Sequence, residues 1–462
     1  PARSSRAGSV RDVDHRGAAA AERWGLDPYG VGAAAAAPDP AEVDLDSIDL
    51  CDLARFEHGF PHDTFAALRE RRPVWYHPPG PHVPGDDGFW VLSRHADVLA
   101  AASDPVTFSS VGGPGREGGG TLIEDLPVGY TGVLLNMTDD PHHQRFRSLL
   151  TPALSPRAIR SLEADIRRRS DGIVAAALSR SEEAGEVDLL VHVAAELPLQ
   201  AAASLIGVPQ EDRARLIEWA DATLDHDDHD LGGTSDRAIA ASAAMFEYGT
   251  TLIEARRDDP RDDLLSRAVH GEIDDESAPG GRRRLRPDEL QLLFSLLVAA
   301  GTETTRNTIA VGVAALAARP DDWVRLREDR SLLPGAVEEM LRWASSTPCN
   351  RRTATVDVDV HGQLIRAGDR VTLWWASADR DRSEFADPFR FDVTRAPNRH
   401  LAFGHGSHFC LGSRLARLEI AAIVDSLLDR VEPPEQLGPI EWTRSNKHTG
   451  VRHLPVRMVA RR

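Results

Sequence analysis

Phe403-Gly404-His405-Gly406-Ser407-His408-Phe409-Cys410-Leu411-Gly412 sets a lone cysteine after a glycine-bearing loop and just ahead of a helical pattern that runs to about Arg430. The first backbone N–H groups of a helix have no internal partner, and the helix dipole is positive there. Both effects favour a thiolate over a thiol at Cys410. Gly406 and Gly412 withhold side chains where a large flat group would press on the backbone. Three readings follow. Cys410 is a buried, inert cysteine beside a tight turn; or it joins His405 and His408 in a zinc site that lacks a fourth ligand and paired-cysteine spacing; or its thiolate is an axial ligand of haem iron.

Working outward, Pro287 suits the first turn of a long helix, with Leu290, Leu293, Phe294 and Leu297 at helical spacing toward Ala300-Gly301-Thr302-Glu303-Thr304-Thr305. Gly301 in mid-helix costs ~1 kcal/mol relative to Ala, which makes sense where something lies against the helix. A second helix, about Pro334–Trp343, places Glu339 and Arg342 on one face. Taken alone, these two form an ordinary surface ion pair. Between 156 and 269 the pattern is helical over Arg160–Leu178, Leu189–Ile206, Asp212–Ala222 and Ser235–Arg257. Short β-like runs fall at 74–76, 89–92 and 353–375. Residues 108–133 form a glycine-rich loop, and 274–286 read as a solvated, charged connector ending in Arg282-Arg283-Arg284. His226, Asp227, Asp228, His229 and Asp230 read as a solvated loop rather than a metal cluster.

The cysteine segment, as Phe403-x-x-Gly406-x-x-x-Cys410-x-Gly412, resembles the haem-binding signature of the cytochrome P450 superfamily. Glu339-Met340-Leu341-Arg342 resembles that family's Glu-x-x-Arg motif, and Ala300 to Thr305 its oxygen-activation motif. All three occur in the family's order. The resemblance runs from about Val43 to the end. It implies a mainly α fold with small β-sheets, the haem lying between the long oxygen-activating helix and the helix after the cysteine loop. Residues 43–462 are then one catalytic domain, and the Ala/Gly/Arg-rich stretch 1–42 a flexible tail.

The resemblance also implies roles. Cys410 ligates the iron of haem b, with Phe403, Gly406 and Gly412 shaping its loop. His143, Arg147, Arg352 and His408 meet the haem propionates. Ala300 and Gly301 leave room for dioxygen, while Thr304 and Glu303 manage protons. Glu339, Arg342 and Arg390 form a buried support for the haem loop. Leu296, Leu297, Asn350, Lys447 and His448 line a substrate pocket. The implied activity inserts one oxygen atom from O2 into a C–H or C=C bond of a lipophilic small molecule, natural-product tailoring ranking first. The alternatives are sterol or terpenoid hydroxylation, oxidative coupling, ring formation or peroxide-driven oxidation, and haem binding without turnover. Electrons come from NAD(P)H through a ferredoxin and its reductase, because the chain has no flavin or iron–sulfur motif; Arg145, Arg399, Arg414 and Arg417 offer a basic dock.

Composition narrows the rest. The 462 residues are 41% hydrophobic and 27% charged, ordinary for a globular chain. Lys and Arg number 54 against 72 Asp and Glu, a net charge of −18 that disfavours nucleic acid as a partner. Three scattered cysteines are no disulfide framework and point to the cytoplasm. The longest apolar stretch, Leu292–Ala300, is too short to span a membrane.

Overall fold

The computed structural model describes residues 40–41, 43–113, 116–125, 131–224 and 236–461. The rest of the 1–42 tail and the acidic stretch at His226–Asp230 lie outside the described residues.

The helices end where local chemistry ends them. The helix read over Arg160–Leu178 extends to Pro156–Ala184, because Ser155 caps its start and Gly185 turns out of it at φ +82°. The more buried stretch after it opens with a π-helical turn, Leu190–Ala194, before the helix Glu196–Ile206 closes on Gly207 at φ +98°. Helices Arg213–Leu224 and Asp236–Asp258 follow.

The long helix runs from Pro287 to Ala317. Its N-terminus is locked by Glu289, which is fully buried and accepts hydrogen bonds from the Arg286 backbone (2.7 Å) and the Arg283 guanidinium (2.6 and 2.8 Å). The segment 274–286 is therefore not merely a solvated connector. Glu272–Asp274 and Arg282–Arg284 pair as an antiparallel hairpin that delivers Arg283 to Glu289 and Asp275. Beyond Thr308 every residue to Ala317 is buried, so this half of the helix crosses the core with apolar atoms on all sides. Gly312 permits the crossing with helix Leu333–Ala344: a Cβ there would sit 2.8 Å from Met340 Cβ. The final helix, Ser413–Arg430, lies against Pro156–Ala184 through Ser426 to Asp171 (2.8 Å) and Arg167 to Asp425 (3.1 Å).

A five-stranded sheet stands beside the helices, in the order Val74–His77, Phe89–Leu92, Arg370–Leu373, Asn350–Ala354, Phe108–Ser109. The 89–92 and 370–373 strands are parallel; the other neighbours are antiparallel. Successive side chains in a strand face opposite ways. Asn350 and Arg352 thus share the face toward the helices, whereas Arg351 turns away to the Ile123 and Glu124 carbonyls and Asp125. Among the described residues, no helix is long and apolar enough to cross a membrane.

Candidate active site

A cavity of about 260 Å3 opens between the long helix, the 350–354 strand and the cysteine loop. Ala300, Gly301, Thr304, Asn350, Arg352, Phe403, His408, Cys410 and Gly412 all line it. Residues separated by more than a hundred positions are thus brought to one space.

Cys410 sits three residues before the first turn of its helix, with its backbone N–H on the Phe403 carbonyl (2.9 Å). Burial pushes its thiol up, against the opposing pull of the Gly412 backbone and of Arg147 and Arg417. Helix geometry alone therefore does not ionise it, contrary to the simplest sequence argument; a cation bound at Sγ would. The two glycines divide in role. Gly412 has only Cys410 Sγ, at 4.0 Å, near the place of a Cβ and leaves the cavity wall open. Gly406 instead has φ +71° and brings its backbone against the Ala102 carbonyl, 2.5 Å from where a Cβ would lie, so its constraint is chain packing.

Four cationic or hydrogen-donating side chains gather beside the sulfur. His143 and His408 stack at 4.0 Å between ring centroids. His143 Nδ1 is buried without a hydrogen-bond partner, its nearest acid being Asp140 at 3.4 Å. Arg352 is 6% exposed and bonds the Arg351 carbonyl. The Arg147 guanidinium makes no hydrogen bond or ion pair among the described residues; its carbonyl accepts from Thr151 (3.0 Å). Burial, then the charges of Arg352, His143 and Arg147, drive His408 down to about 2, so that it is neutral. Two guanidiniums with imidazole donors beside them call for an anion between them. A soft sulfur ligand, an open wall at Gly412 and a cluster awaiting carboxylates fit haem with its two propionates. The zinc reading finds no support: among the described residues no group of three His, Cys, Asp or Glu is placed to hold a metal ion.

On the long helix, Thr302, Thr304 and Thr308 each turn a hydroxyl back onto the carbonyl four residues earlier, at 3.0, 3.2 and 2.8 Å. Such back-bonding loosens a helix locally. Thr304 faces the cavity with its weakest bond of the three. Glu303 points elsewhere, its Oε2 lying 3.5 Å from His448 Nδ1. Gly301 lines the cavity as expected, but its lack of a side chain also serves packing, since a Cβ would stand 2.8 Å from Ala202 Cβ.

Glu339 and Arg342 are fully buried and joined by two 2.7 Å bonds. Burial alone would raise the Glu339 carboxyl; Arg342, Arg395 and the Asp392 N–H together hold it below its ordinary range. The third member is Arg395, not Arg390. Arg395 reaches Glu339 at 3.1 Å, while Arg390 is exposed and contributes only its carbonyl, which accepts from Arg342 (3.3 Å) and Arg395 (2.7 Å). Arg395→Ala is expected to lower stability by about 1.5–3 kcal/mol, and Arg390→Ala by no more than about 0.5 kcal/mol. Thermal unfolding of the two variants checks this ordering, and equal effects would refute it.

The pocket residues fare less well. Asn350 lines the cavity, its amide oxygen held by Trp375 Nε1 at 2.7 Å. Leu296 and Leu297 pack against the main core and do not line this cavity. Lys447 is paired with Glu124 at 3.1 Å and His448 lies at Glu303, so neither stands in the wall. Sequence reading missed three lining residues, Thr308, Ser346 and Glu419. Glu419 is 1% exposed, its Oε2 has no hydrogen-bond partner, and burial raises its carboxyl well above the ordinary range. Its place two turns into the final helix gave no signal beyond a charge amid apolar residues.

Known proteins align with these features. The sequence model of the cytochrome P450 family matches residues 228–441. Cytochrome P450 126 of Mycobacterium tuberculosis is 45% identical over 415 residues, covering 90% of this chain and 98% of that protein. The chain belongs to the cytochrome P450 family. As a P450 it is a haem-thiolate monooxygenase that uses O2 and outside redox partners. Methyl-branched lipid omega-hydroxylase of Mycobacterium tuberculosis is similar at 38% identity, covering 90% of this chain and 94% of that protein. Among solved structures, Mycobacterium marinum P450 CYP268A2 in complex with pseudoionone has a TM-score of 0.79 at 33% identity, covering 90% of this chain and 99% of that one.

Proposed function

We propose that this P450 hydroxylates an aliphatic C–H bond of an extended lipophilic molecule, with residues 43–462 acting as one catalytic domain. The observation carrying this reading is the cavity that joins Cys410, Thr304, Arg352 and His408 in one space, with His143 stacked on His408 behind its wall. Bound haem would supply the oxygen activation. Cys410 Sγ would hold its iron, and His143, Arg147, Arg352 and His408 would hold its propionates. Thr304 Oγ1, freed from the Ala300 carbonyl, would pass protons to the reacting dioxygen, with Glu303 and bulk water behind it. Relatives named for lipid omega-hydroxylation and for steroid C26 oxidation, the latter from Rhodococcus jostii at 33% identity, support a hydrocarbon chain as the target.

A second reading, natural-product tailoring, draws on the wall itself. Thr121, Thr304, Thr305, Thr308, Ser346, Thr347 and Asn350 give it more hydroxyl and amide groups than a plain hydrocarbon needs. Titration of the ferric protein with a methyl-branched fatty acid, a steroid and a macrolide separates the two readings by which compound shifts the spin state. A shift with none of the three would reject both.

Replacing Thr304 with Ala is expected to leave reductant consumption intact but cut product per electron pair on the order of 100-fold, with peroxide released instead. Unchanged coupling would remove Thr304 from proton transfer. Electrons are proposed to arrive from NAD(P)H through a ferredoxin and its reductase in the cytoplasm. The dock read from sequence needs revision: Arg145, Arg399 and Arg417 are engaged with Glu276, Glu384 and Glu338. Arg414 is exposed, makes no ion pair among the described residues and could meet an acidic partner.

A further inference from the structure

A second cavity, of about 320 Å3, adjoins the first: Ser345 lines it, while Ser346 lines the cavity at Cys410. Among the described residues the two share no lining side chain. Pockets that hold small molecules start near ~300 Å3. The walls come from the 59–63 loop, the end of helix Leu333–Ala344 and the strand Glu441–Trp442. They are aromatic, and each ring is fixed by its neighbours. Trp343 carries the Arg380 guanidinium 4.4 Å from its ring centre, with Phe391 edge-on at 5.6 Å between centroids. Trp442 rests on Gly59, whose φ is +92° and where a Cβ would stand 3.3 Å from the indole. Phe60 stacks on Phe65 at 4.6 Å. Rings held this way do not collapse into the gap, as a close-packed interior otherwise would.

The cavity is also cationic. Arg380 lines it from the core, 1% exposed, and donates to the Arg342 and Trp343 carbonyls (2.9 and 2.7 Å). Arg55 lines it too. Its guanidinium bonds the Ser47 carbonyl, makes no ion pair among the described residues, and has its Nε buried without a partner. Burial, then the charges of Arg380, Arg69 and Arg342, hold the wall's His62 well below its ordinary range, which marks a positive field. Asp63 is the one acid in the wall among the described residues. It is exposed and already accepts from the Thr64 N–H (2.6 Å).

Flat aromatic walls select a flat ring, and an unengaged guanidinium selects a carboxylate. We propose that this cavity is a second ligand site, separate from the haem cavity, that takes a planar aromatic carboxylate, with its rings against Trp343 and Trp442 and its carboxylate on Arg55. An aromatic amine would meet two guanidiniums. A fatty acid would leave the indoles without a stacking partner. Binding here does not depend on the oxidation proposed above.

Isothermal titration calorimetry of the ferric holoenzyme with 2-naphthoate tests this, with the visible spectrum recorded on the same mixtures. One site should saturate while the haem bands stay in place. 2-Naphthylmethanol, the neutral counterpart, should bind about tenfold more weakly, and cyclohexanecarboxylate, a saturated acid, also more weakly. Arg55→Gln should weaken naphthoate about fivefold to tenfold, the worth of one part-exposed charge-assisted hydrogen bond, and leave naphthylmethanol unchanged. Trp442→Ala should weaken both aromatic ligands about fivefold. Trp442→Phe should restore most of that loss, which separates a missing ring from a damaged fold. Arg457→Gln, which breaks an exposed pair with Glu435, should change nothing. No saturable heat with naphthoate, equal binding of acid and alcohol, or full affinity in either Arg55→Gln or Trp442→Ala would overturn the proposal. So would a spin-state change that tracks the heat, because the acid would then be entering the haem cavity.

Discussion

Arg342→Ala is expected to destabilise the protein by about 3–5 kcal/mol, the effect of breaking a buried ion pair from one side. Arg342 is fully buried and donates to five oxygens: both of Glu339 (2.7 Å each) and the carbonyls of Asp379 (2.8 Å), Pro388 (2.9 Å) and Arg390 (3.3 Å). The three carbonyls belong to the irregular chain that leads to the cysteine loop. Without the guanidinium the buried Asp379 and Pro388 carbonyls lose this donor, while the Arg390 carbonyl keeps Arg395. Glu339 would retain Arg395, the Asp392 N–H and Asn398 Nδ2 (3.1 Å), but not the charge that lies deepest. A loss of that size is a large share of a typical folding free energy of ~5–15 kcal/mol. Soluble yield and haem retention should both fall sharply. Thermal unfolding of whatever folds checks the claim, and a midpoint equal to that of the wild type would contradict it.

Cys410→Ser is expected to abolish oxygen transfer, to background, while leaving the fold in place. The hydroxyl is isosteric enough for the loop, whose shape is set by Gly406 against Ala102 and by the bond from the residue 410 backbone to Phe403. What disappears is the soft anion that donates charge to iron and favours O–O cleavage. The propionate-holding set of His143, Arg147, Arg352 and His408 is untouched, so haem content should fall less than activity. Product assay and pyridine haem quantification on the same sample separate the two effects. Residual monooxygenation at more than a trace level would remove Cys410 from its role.

Local signals in the sequence were enough for the helices and for the cysteine loop. Pro287, Ser155, Gly185 and the apolar spacing within the long helix act over a few residues, so their consequences can be read in place. The pairing of Glu339 with Arg342 is also local. The third partner is not: Arg395 reaches Glu339 across 56 positions of irregular chain, and only that chain's path decides between it and Arg390. Glycine meanings were hidden for the same reason. Gly301 answers to Ala202 and Gly406 to Ala102, contacts that no period or spacing encodes. The alternation of strand 350–354 placed Asn350 and Arg352 on one face, but which face met the cavity depended on the sheet order. Substrate contacts were least legible. Lys447 and His448 looked like free recognition groups until Glu124 and Glu303 were found beside them.

The central claim is a thiolate from Cys410 on haem iron. Its most direct test is the absorption spectrum of the purified protein after reduction with dithionite and exposure to carbon monoxide. A Soret band displaced far to the red, lost in Cys410→Ser, is the predicted result. A band at the position seen for histidine-ligated haem, or no haem absorption at all, would contradict it.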